Sequence, residues 1–259
     1  MKVVILAGGK GTRISEESVS KPKPMIEIGD KPILWHIMKI YSSFGYNDFI
    51  ICCGYKGYVI KEYFADYYLH MSDVTFDFRE QNRMQIHNND AEPWRVTLID
   101  TGLDTMTGGR IKRIQKYIPQ GESFLMTYGD GVSDIDINKL VTYHTEKKVV
   151  ATMTIVQPDG RYGAVDVDKI SGKVKSFVEK PVGDGGWVNG GFFVLDYRIF
   201  DYLDEDAMVF EKEPLEKLVN ISGLAAYKHY GYWQSMDSLR DRNVLEEIWK
   251  KGKAPWKRW

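Results

Sequence analysis

The sequence predicts an α/β fold built on a doubly wound, mainly parallel mixed sheet, and three observations lead there. Short apolar runs rich in β-branched residues, typified by KVVILA at residues 2–7, read as strands buried on both faces. Amphipathic stretches with apolar residues three and four positions apart stand between such runs. Glycine-bearing loops follow the first strand and the run FLMTY, and ligands of such sheets collect beyond the carboxyl ends of the strands.

Residues 2–7 form the first, central strand. Ile33, Leu34, Ile37, Met38, Tyr41 and Phe44 then mark one face of a helix between Lys31 and Tyr46, which stops at Gly45. A strand over Asp48–Cys53, a helix over 58–69, strands over 74–78 and 96–99, a glycine-containing loop and a helical turn or two over 110–117 follow. A strand over Phe124–Tyr128 runs into Gly129-Asp130-Gly131, and 136–146 reads as a helix. Beyond it the texture becomes antiparallel or mixed, with strand-like runs at 149–156, 163–167, 173–178 and 192–195. Helices return at 213–219 and Leu239–Lys250. No Pro/Ser/Gly linker divides the chain, so it reads as a single domain with an inserted lobe. The polar segment 79–94 is too long for an ordinary connection and reads as a subunit contact or a flap.

Composition narrows the function. A chain of 259 residues, 43% hydrophobic, buries enough surface to need neither disulfide nor structural metal. Its 35 Lys plus Arg against 36 Asp plus Glu provide no cationic excess for counterion release, which excludes duplex nucleic acid as a partner and leaves a small anion open. Cys52 and Cys53 are adjacent, point to opposite faces of a strand, and read as core thiols of a reducing compartment. VVILA is too short for a signal peptide, and no stretch approaches the ~20 apolar residues of a membrane span, so a cytoplasmic protein with no membrane partner is expected. The five histidines lack zinc spacing, and no G-x-S-x-G elbow is present. The aromatic, basic tail 249–259 reads as packed against the body or a neighbouring subunit.

Residues 8–13, GGKGTR, directly follow the first strand, where glycines let backbone N–H groups approach an anion. A plain tight turn is the bland alternative, but Arg13 and Lys23 both fall on this connection, and a structural turn has no use for two cations. Walker A fails because Thr12-Arg13 follows Gly11. The dinucleotide fingerprint lacks a glycine where Ile14 stands, and residues 15–32 delay the helix. Asp130 between its glycines serves either as a turn residue or as a ligand for Mg²⁺, which takes one or two carboxylates plus phosphate oxygens. Asp134 and Asp136 form an Asp-x-Asp that resembles the metal motif of nucleotide-sugar-dependent glycosyltransferases, but the pair leads directly into a helical pattern, which favours N-capping by Asp136. Met106 to Arg110 reads as a mobile glycine loop, and Glu179-Lys180 as a solvated pair.

LAGGKGTR and KPKPM, then GDG at 129–131, VEKP at 178–181, NGGFF at 189–193 and WQSMD ending at Asp237, resemble in order the motifs of sugar-nucleotide pyrophosphorylases, which are nucleotidylyltransferases acting on sugar 1-phosphates. The stretches ILWHIMKIYSSFGYNDFIICCGYKGYVIKEYF and KGKAPWK resemble the cytidylyltransferase branch of that family, and the likeness covers essentially the whole chain. Glu16 departs from it, since many members carry proline there. The resemblance implies a Rossmann-like nucleotide-diphospho-sugar transferase fold with a nucleotide-binding half (about 1–135), a sugar-phosphate-binding half (about 136–240) and a C-terminal helix and tail (about 241–259).

It also implies CTP and α-D-glucose 1-phosphate as substrates, CDP-glucose and pyrophosphate as products on a route to dideoxyhexoses of O-antigen polysaccharide, Mg²⁺ as cofactor, and a homo-oligomer. Carried over residue by residue, the catalytic groups are Arg13, Lys23 and Asp130, and the metal ligands Asp130 and Asp237. The nucleotide contacts are Leu6, Ala7, Gly8, Gly9, Lys10, Gly11, Thr12, Arg13, Lys23, Thr107, Gly108, Arg110 and Gly129. The sugar phosphate falls to Tyr162, Gly163, Glu179, Lys180, Asn189 and Gly190. The same chemistry with UTP or dTTP, a glycosyltransferase using Asp134 and Asp136, and a non-catalytic nucleotide-sugar sensor remain alternatives.

Overall fold

The computed structural model describes residues 1–79, 83–158, 164–167, 173–178 and 186–259. Strand β1 (Val3–Leu6) is buried along its length, as its unbroken apolar run requires. Helix α1 (Ile33–Ser42) follows Pro32, which has no N–H to leave unpaired at a helix start, and the chain turns at Gly45 with φ +88°. Strand β2 (Asp48–Cys53) has the expected bounds.

The helix expected over 58–69 is broken. Helix α2 (Gly57–Ala65) ends at Asp66, and a separate turn spans Tyr67–His70. The break turns Tyr67 inward, where its hydroxyl accepts from Trp35 Nε1 at 2.9 Å and its ring stacks on Trp94 with centroids 5.8 Å apart. A second departure concerns 74–78. Strand β3 (Ser72–Asp77) does not join the main sheet but pairs antiparallel with β4 (Arg83–Asn89), a strand lying within the segment read as a polar connection. In β4 only Ile86 is even half-buried, and Met84 and Ile86 are the two alternating apolar residues in the otherwise polar sequence RMQIHNN.

Strand β5 (Arg95–Asp100) lies at the edge of the main sheet, and helix α3 (Thr107–Arg113) begins three residues ahead of the expected position. Gly108 and Gly109 argue against a helix by propensity, yet a Cβ on either would overlap the backbone at Asp206 or Met208. Close packing of the 206–208 segment therefore overrides propensity. Next come β6 (Phe124–Tyr128), β7 (Gly131–Ser133) and α4 (Ile137–Lys147), the last capped by Asp136, whose carboxylate accepts from the Lys139 N–H at 3.0 Å. The second half supplies β8 (Ala151–Val156), β9 (Ala164–Val167), β10 (Val174–Val178), β11 (Val188–Leu195), α5 (Glu213–Asn220), β12 (Leu224–Lys228), β13 (Trp233–Ser235) and α6 (Leu239–Lys250).

Among the described residues the main sheet has seven strands in the order β12-β8-β11-β6-β1-β2-β5, and β11 alone runs against the rest. Strands from both halves of the chain thus share one sheet. β9 pairs with β10, and β7 with β13, in separate antiparallel ladders. No helix among the described residues is long and apolar enough to cross a membrane.

The tail packs on the body. Trp256 is 1% exposed, stacks on Tyr232 and Trp249, and donates from Nε1 to His36 Nδ1 at 3.4 Å. His36 Nε2 in turn faces the Ile28 carbonyl at 2.8 Å, an arrangement that suits a neutral ring donating from Nε2 and accepting at Nδ1. Burial pushes His36 down to about 4. An unfolded histidine titrates near ~6.5, so the unfolded chain binds the extra proton between those values. Stability from this group is full above about pH 6.5 and is lost as pH falls toward about 4, by up to about 3 kcal/mol. Urea midpoints measured across that window should fall more steeply for the wild type than for His36→Gln. Trp256→Ala should cost about 3–5 kcal/mol in the same assay.

Candidate active site

Leu6 and Tyr128 are register partners, so β1 and β6 end side by side and their continuations leave the sheet at one edge. Gly129 donates its N–H to the Leu6 carbonyl at 3.0 Å, and a Cβ on Gly129 would press into the Pro24 ring. That close approach seats the 3-10 turn Lys23–Met25 over the end of β6 and brings Lys23 to Asp130. A second link recruits residue 237. Gly131 pairs with Ser235, Met236 donates its N–H to the Asp130 carbonyl at 2.8 Å, and Asp237 emerges beside Asp130. Its N–H donates to Asp241, which closes the capping box of α6 with Ser238, and its Oδ2 accepts from Ser235 Oγ at 2.9 Å.

The result is one ammonium shared by two carboxylates. Lys23 Nζ lies 2.5 Å from Asp130 Oδ2 and 2.9 Å from Asp237 Oδ1. Burial works against the Lys23 charge, but Asp130 and then Asp237 outweigh it and hold the pKa above the ordinary lysine value. Two oxygen donors from different elements thus already converge on a single cation position. That donor set fits a hard divalent ion whose remaining ligands are phosphate oxygens or water. No cluster of three or more His, Cys, Asp or Glu groups able to hold a metal occurs among the described residues.

These groups lie in a cavity of about 580 Å³. Of the residues singled out in the sequence, Leu6, Ala7, Gly8, Gly9, Gly11, Thr12, Lys23, Thr107, Arg110, Gly129, Asp130, Asn189, Gly190 and Asp237 line it. Lys10 instead turns to Asp104, 2.8 Å away and exposed, and Gly108 packs its N–H on the Met208 carbonyl at 2.9 Å. Arg13 sits in the turn Thr12–Ile14, with its side chain outside the described set. Tyr162, Gly163, Glu179 and Lys180 lie outside the described residues. Asp134 pairs with His229 at 2.9 Å and Asp136 caps α4, so the Asp-x-Asp pair lines no part of the cavity. Met106, the first residue of the segment singled out in the sequence, also lines it, and sequence reasoning missed Thr105, Tyr128, Glu211, Trp233 and Ser235, which line it too. Tyr128 could have been found as the residue preceding the Gly-Asp-Gly turn, whereas Glu211 carries no motif.

Arg110, one of the nucleotide contacts implied by the resemblance, reaches several backbone acceptors from the cavity wall. Its Nη1 donates to Thr101 Oγ1 at 2.7 Å, to the Gly102 carbonyl at 2.8 Å and to the Cys53 carbonyl at 3.3 Å, while Nη2 donates to the Gly8 carbonyl at 3.1 Å. A Cβ on Gly8 would overlap the guanidinium. Arg110 therefore braces the start of the glycine loop against the ends of β2 and β5. Burial lowers its pKa, but a guanidinium remains charged in proteins.

The family model described as nucleotidyl transferase matches residues 2–238. The chain belongs to that family. It is 59% identical over 259 residues, 100% of both chains, to the glucose-1-phosphate cytidylyltransferases of Salmonella typhi and Salmonella typhimurium. Among solved structures it is similar to HddC from Yersinia pseudotuberculosis complexed with GMP-PN, at 27% identity and a TM-score of 0.69 over 96% of this chain and 99% of that one. In this nucleotidyl transferase, removing the brace should disturb the loop. Arg110→Met strands buried carbonyls and should cost about 2–3 kcal/mol in urea unfolding, with weaker nucleotide binding by calorimetry. Gly8→Ala should weaken binding in the same titration by displacing the guanidinium.

Proposed function

We propose that this nucleotidyl transferase converts CTP and α-D-glucose 1-phosphate to CDP-glucose and pyrophosphate with Mg²⁺ as its divalent ion. The observation that carries the reading is the meeting of Lys23, Asp130 and Asp237 beside the glycine loop. The 59% identity over full length supports the choice of base and sugar.

In the reaction an oxygen of glucose 1-phosphate attacks the α-phosphorus of CTP, and the bond from that phosphorus to the α,β-bridging oxygen breaks in line, that oxygen leaving with pyrophosphate. A phosphate monoester has a second pKa of about 6 and is already an anion at neutral pH, so no side-chain base is needed. The protein has to neutralise charge and align two anions that repel each other. The backbone N–H groups of Gly8 to Thr12 receive the polyphosphate, Arg13 holds the departing pyrophosphate, and Lys23 offers ammonium hydrogens to the α-phosphoryl oxygens. Mg²⁺, with Asp130 and Asp237 as its protein ligands, supplies neutralising charge on the phosphates when bound. Asn189, Gly190, Tyr162, Gly163, Glu179 and Lys180 complete the sugar-phosphate side.

A homo-oligomer belongs to the same proposal and is supported by the stacked, exposed Phe76 and Phe78 at the β3–β4 pair. A reducing, cytoplasmic setting is supported by the free, buried thiols of Cys52 and Cys53.

Pyrophosphate release from glucose 1-phosphate and Mg²⁺ with CTP, UTP, dTTP, ATP or GTP in separate reactions tests the proposal. Turnover should be confined to CTP. Turnover with a different nucleotide alone discards the cytidylyl assignment, and silence with all five discards the reaction. Lys23→Ala and Asp130→Asn should each lower kcat by roughly 10²–10³-fold with an unchanged circular dichroism spectrum, and wild-type rates in both would remove the charge-centre assignment.

A further inference from the structure

The proposed reaction leaves one carboxylate in the cavity without a task. Glu211, in the loop just ahead of α5, lines the cavity wall formed with α3, β6 and β11. Its Oε2 accepts from Thr107 Oγ1 at 2.6 Å, and its Oε1 accepts from the Tyr128 hydroxyl at 2.5 Å. Both hydroxyls are themselves held from behind: Thr107 Oγ1 accepts from the Phe210 N–H at 2.9 Å, and the Tyr128 oxygen accepts from Asn189 Nδ2 at 3.1 Å. Each hydroxyl proton is therefore directed to Glu211, and the carboxylate is fixed in place. Each of its oxygens has accepted one hydrogen bond and keeps capacity for another.

Among the described residues no lysine, arginine or histidine pairs with Glu211. An uncompensated carboxylate repels phosphate and suits neutral donors, which here means hydroxyl groups. Its place in the sheet decides whose hydroxyls. The Tyr128 ring is turned toward β11, filling the space that a Cβ on Gly191 would occupy, and Gly191 at φ +78° keeps that space clear. β11 flanks β6 on the side opposite β1, the strand that carries the glycine loop. Attacking and leaving oxygens lie on opposite sides of the phosphorus in an in-line transfer. With pyrophosphate departing over the loop after β1, the sugar phosphate enters from the β11 side, where Glu211 stands.

We infer that Glu211, oriented by Tyr128 and Thr107, accepts hydrogen bonds from hydroxyls of the hexose and sets the enzyme's sugar specificity. The inference rests on the reaction proposed above. It requires no proton transfer, because the carboxylate acts as an acceptor throughout.

Steady-state kinetics of the wild type, Glu211→Gln and Glu211→Ala test it, with CTP and either glucose 1-phosphate or its 2-, 3-, 4- and 6-deoxy analogues. The wild type should lose roughly 10- to 100-fold in kcat/KM on at least one deoxy analogue. Glu211→Ala should lose a similar factor with glucose 1-phosphate, keep the wild-type KM for CTP, and no longer distinguish that analogue. Glu211→Gln, nearly isosteric, should fall between the two and carries the test should the alanine variant fail to fold.

Loss of CTP affinity with an unchanged KM for glucose 1-phosphate would overturn the inference in favour of a nucleotide contact. Full discrimination retained by the variants, or a wild type indifferent to every deoxy analogue, would overturn it as well. A wild type inactive with glucose 1-phosphate removes the proposed reaction and this inference together, whereas an active wild type matched by its Glu211 variants removes this inference alone.

Discussion

One ammonium holds the site together. Lys23 stands 107 positions from Asp130 and 214 from Asp237, yet its Nζ is within hydrogen-bonding distance of both. Two carboxylates this close, half-buried at a cavity wall, are tolerated because a cation lies between them. Take that cation away and each faces the repulsion and desolvation that make unpaired buried charge costly. Much of the surrounding architecture serves this contact. The parallel pairing of β1 with β6 sets the height of Asp130, the seat of Pro24 against Gly129 sets the height of Lys23, and the β7–β13 ladder carries Asp237 in from the far end of the chain. Within the protein the centre carries a net negative charge, which suits the divalent cation of the proposed reaction.

Around that centre the cavity divides by charge. On the β1 side the glycine loop offers backbone donors, and Arg110, itself at the cavity wall, stiffens its first residue through the Gly8 carbonyl. On the β11 side stands Glu211, an anion held by two hydroxyls. A polyphosphate and a polyhydroxy sugar have opposite needs, donors with positive charge for one and acceptors for the other, and β6 between them carries Asp130 at the boundary. In the proposed reaction this separation would position two substrates that otherwise repel.

The fold was largely legible where burial wrote the sequence. β1 and β2 are buried on both faces, and their apolar runs give their bounds to within a residue; α1 shows its face at three- and four-residue spacing. Legibility failed where local propensity and tertiary contact disagreed. β4 is announced by two alternating apolar residues alone, Met84 and Ile86, Asp66 interrupts a periodic run for the sake of a tyrosine, and α3 begins on glycines that only the neighbouring 206–208 backbone explains. At the site, Lys23, Asp130 and Asp237 were reached through ordered motifs resembling a known family, since no spacing rule couples residues so far apart. The bracing role of Arg110 is illegible in the sequence because its acceptors are carbonyls of separate segments that no motif couples. Glu211 left no trace because it lies in an irregular loop and draws its meaning from side chains on three other elements.

The most direct test of the charge centre is the electron paramagnetic resonance of Mn²⁺ titrated into the protein with a non-hydrolysable CTP analogue. The account predicts a bound-ion spectrum in the wild type that is lost in both Asp130→Asn and Asp237→Asn at the same concentrations. An identical bound-ion spectrum in all three proteins would contradict it, for the ion would then be held by groups other than the two carboxylates that Lys23 joins.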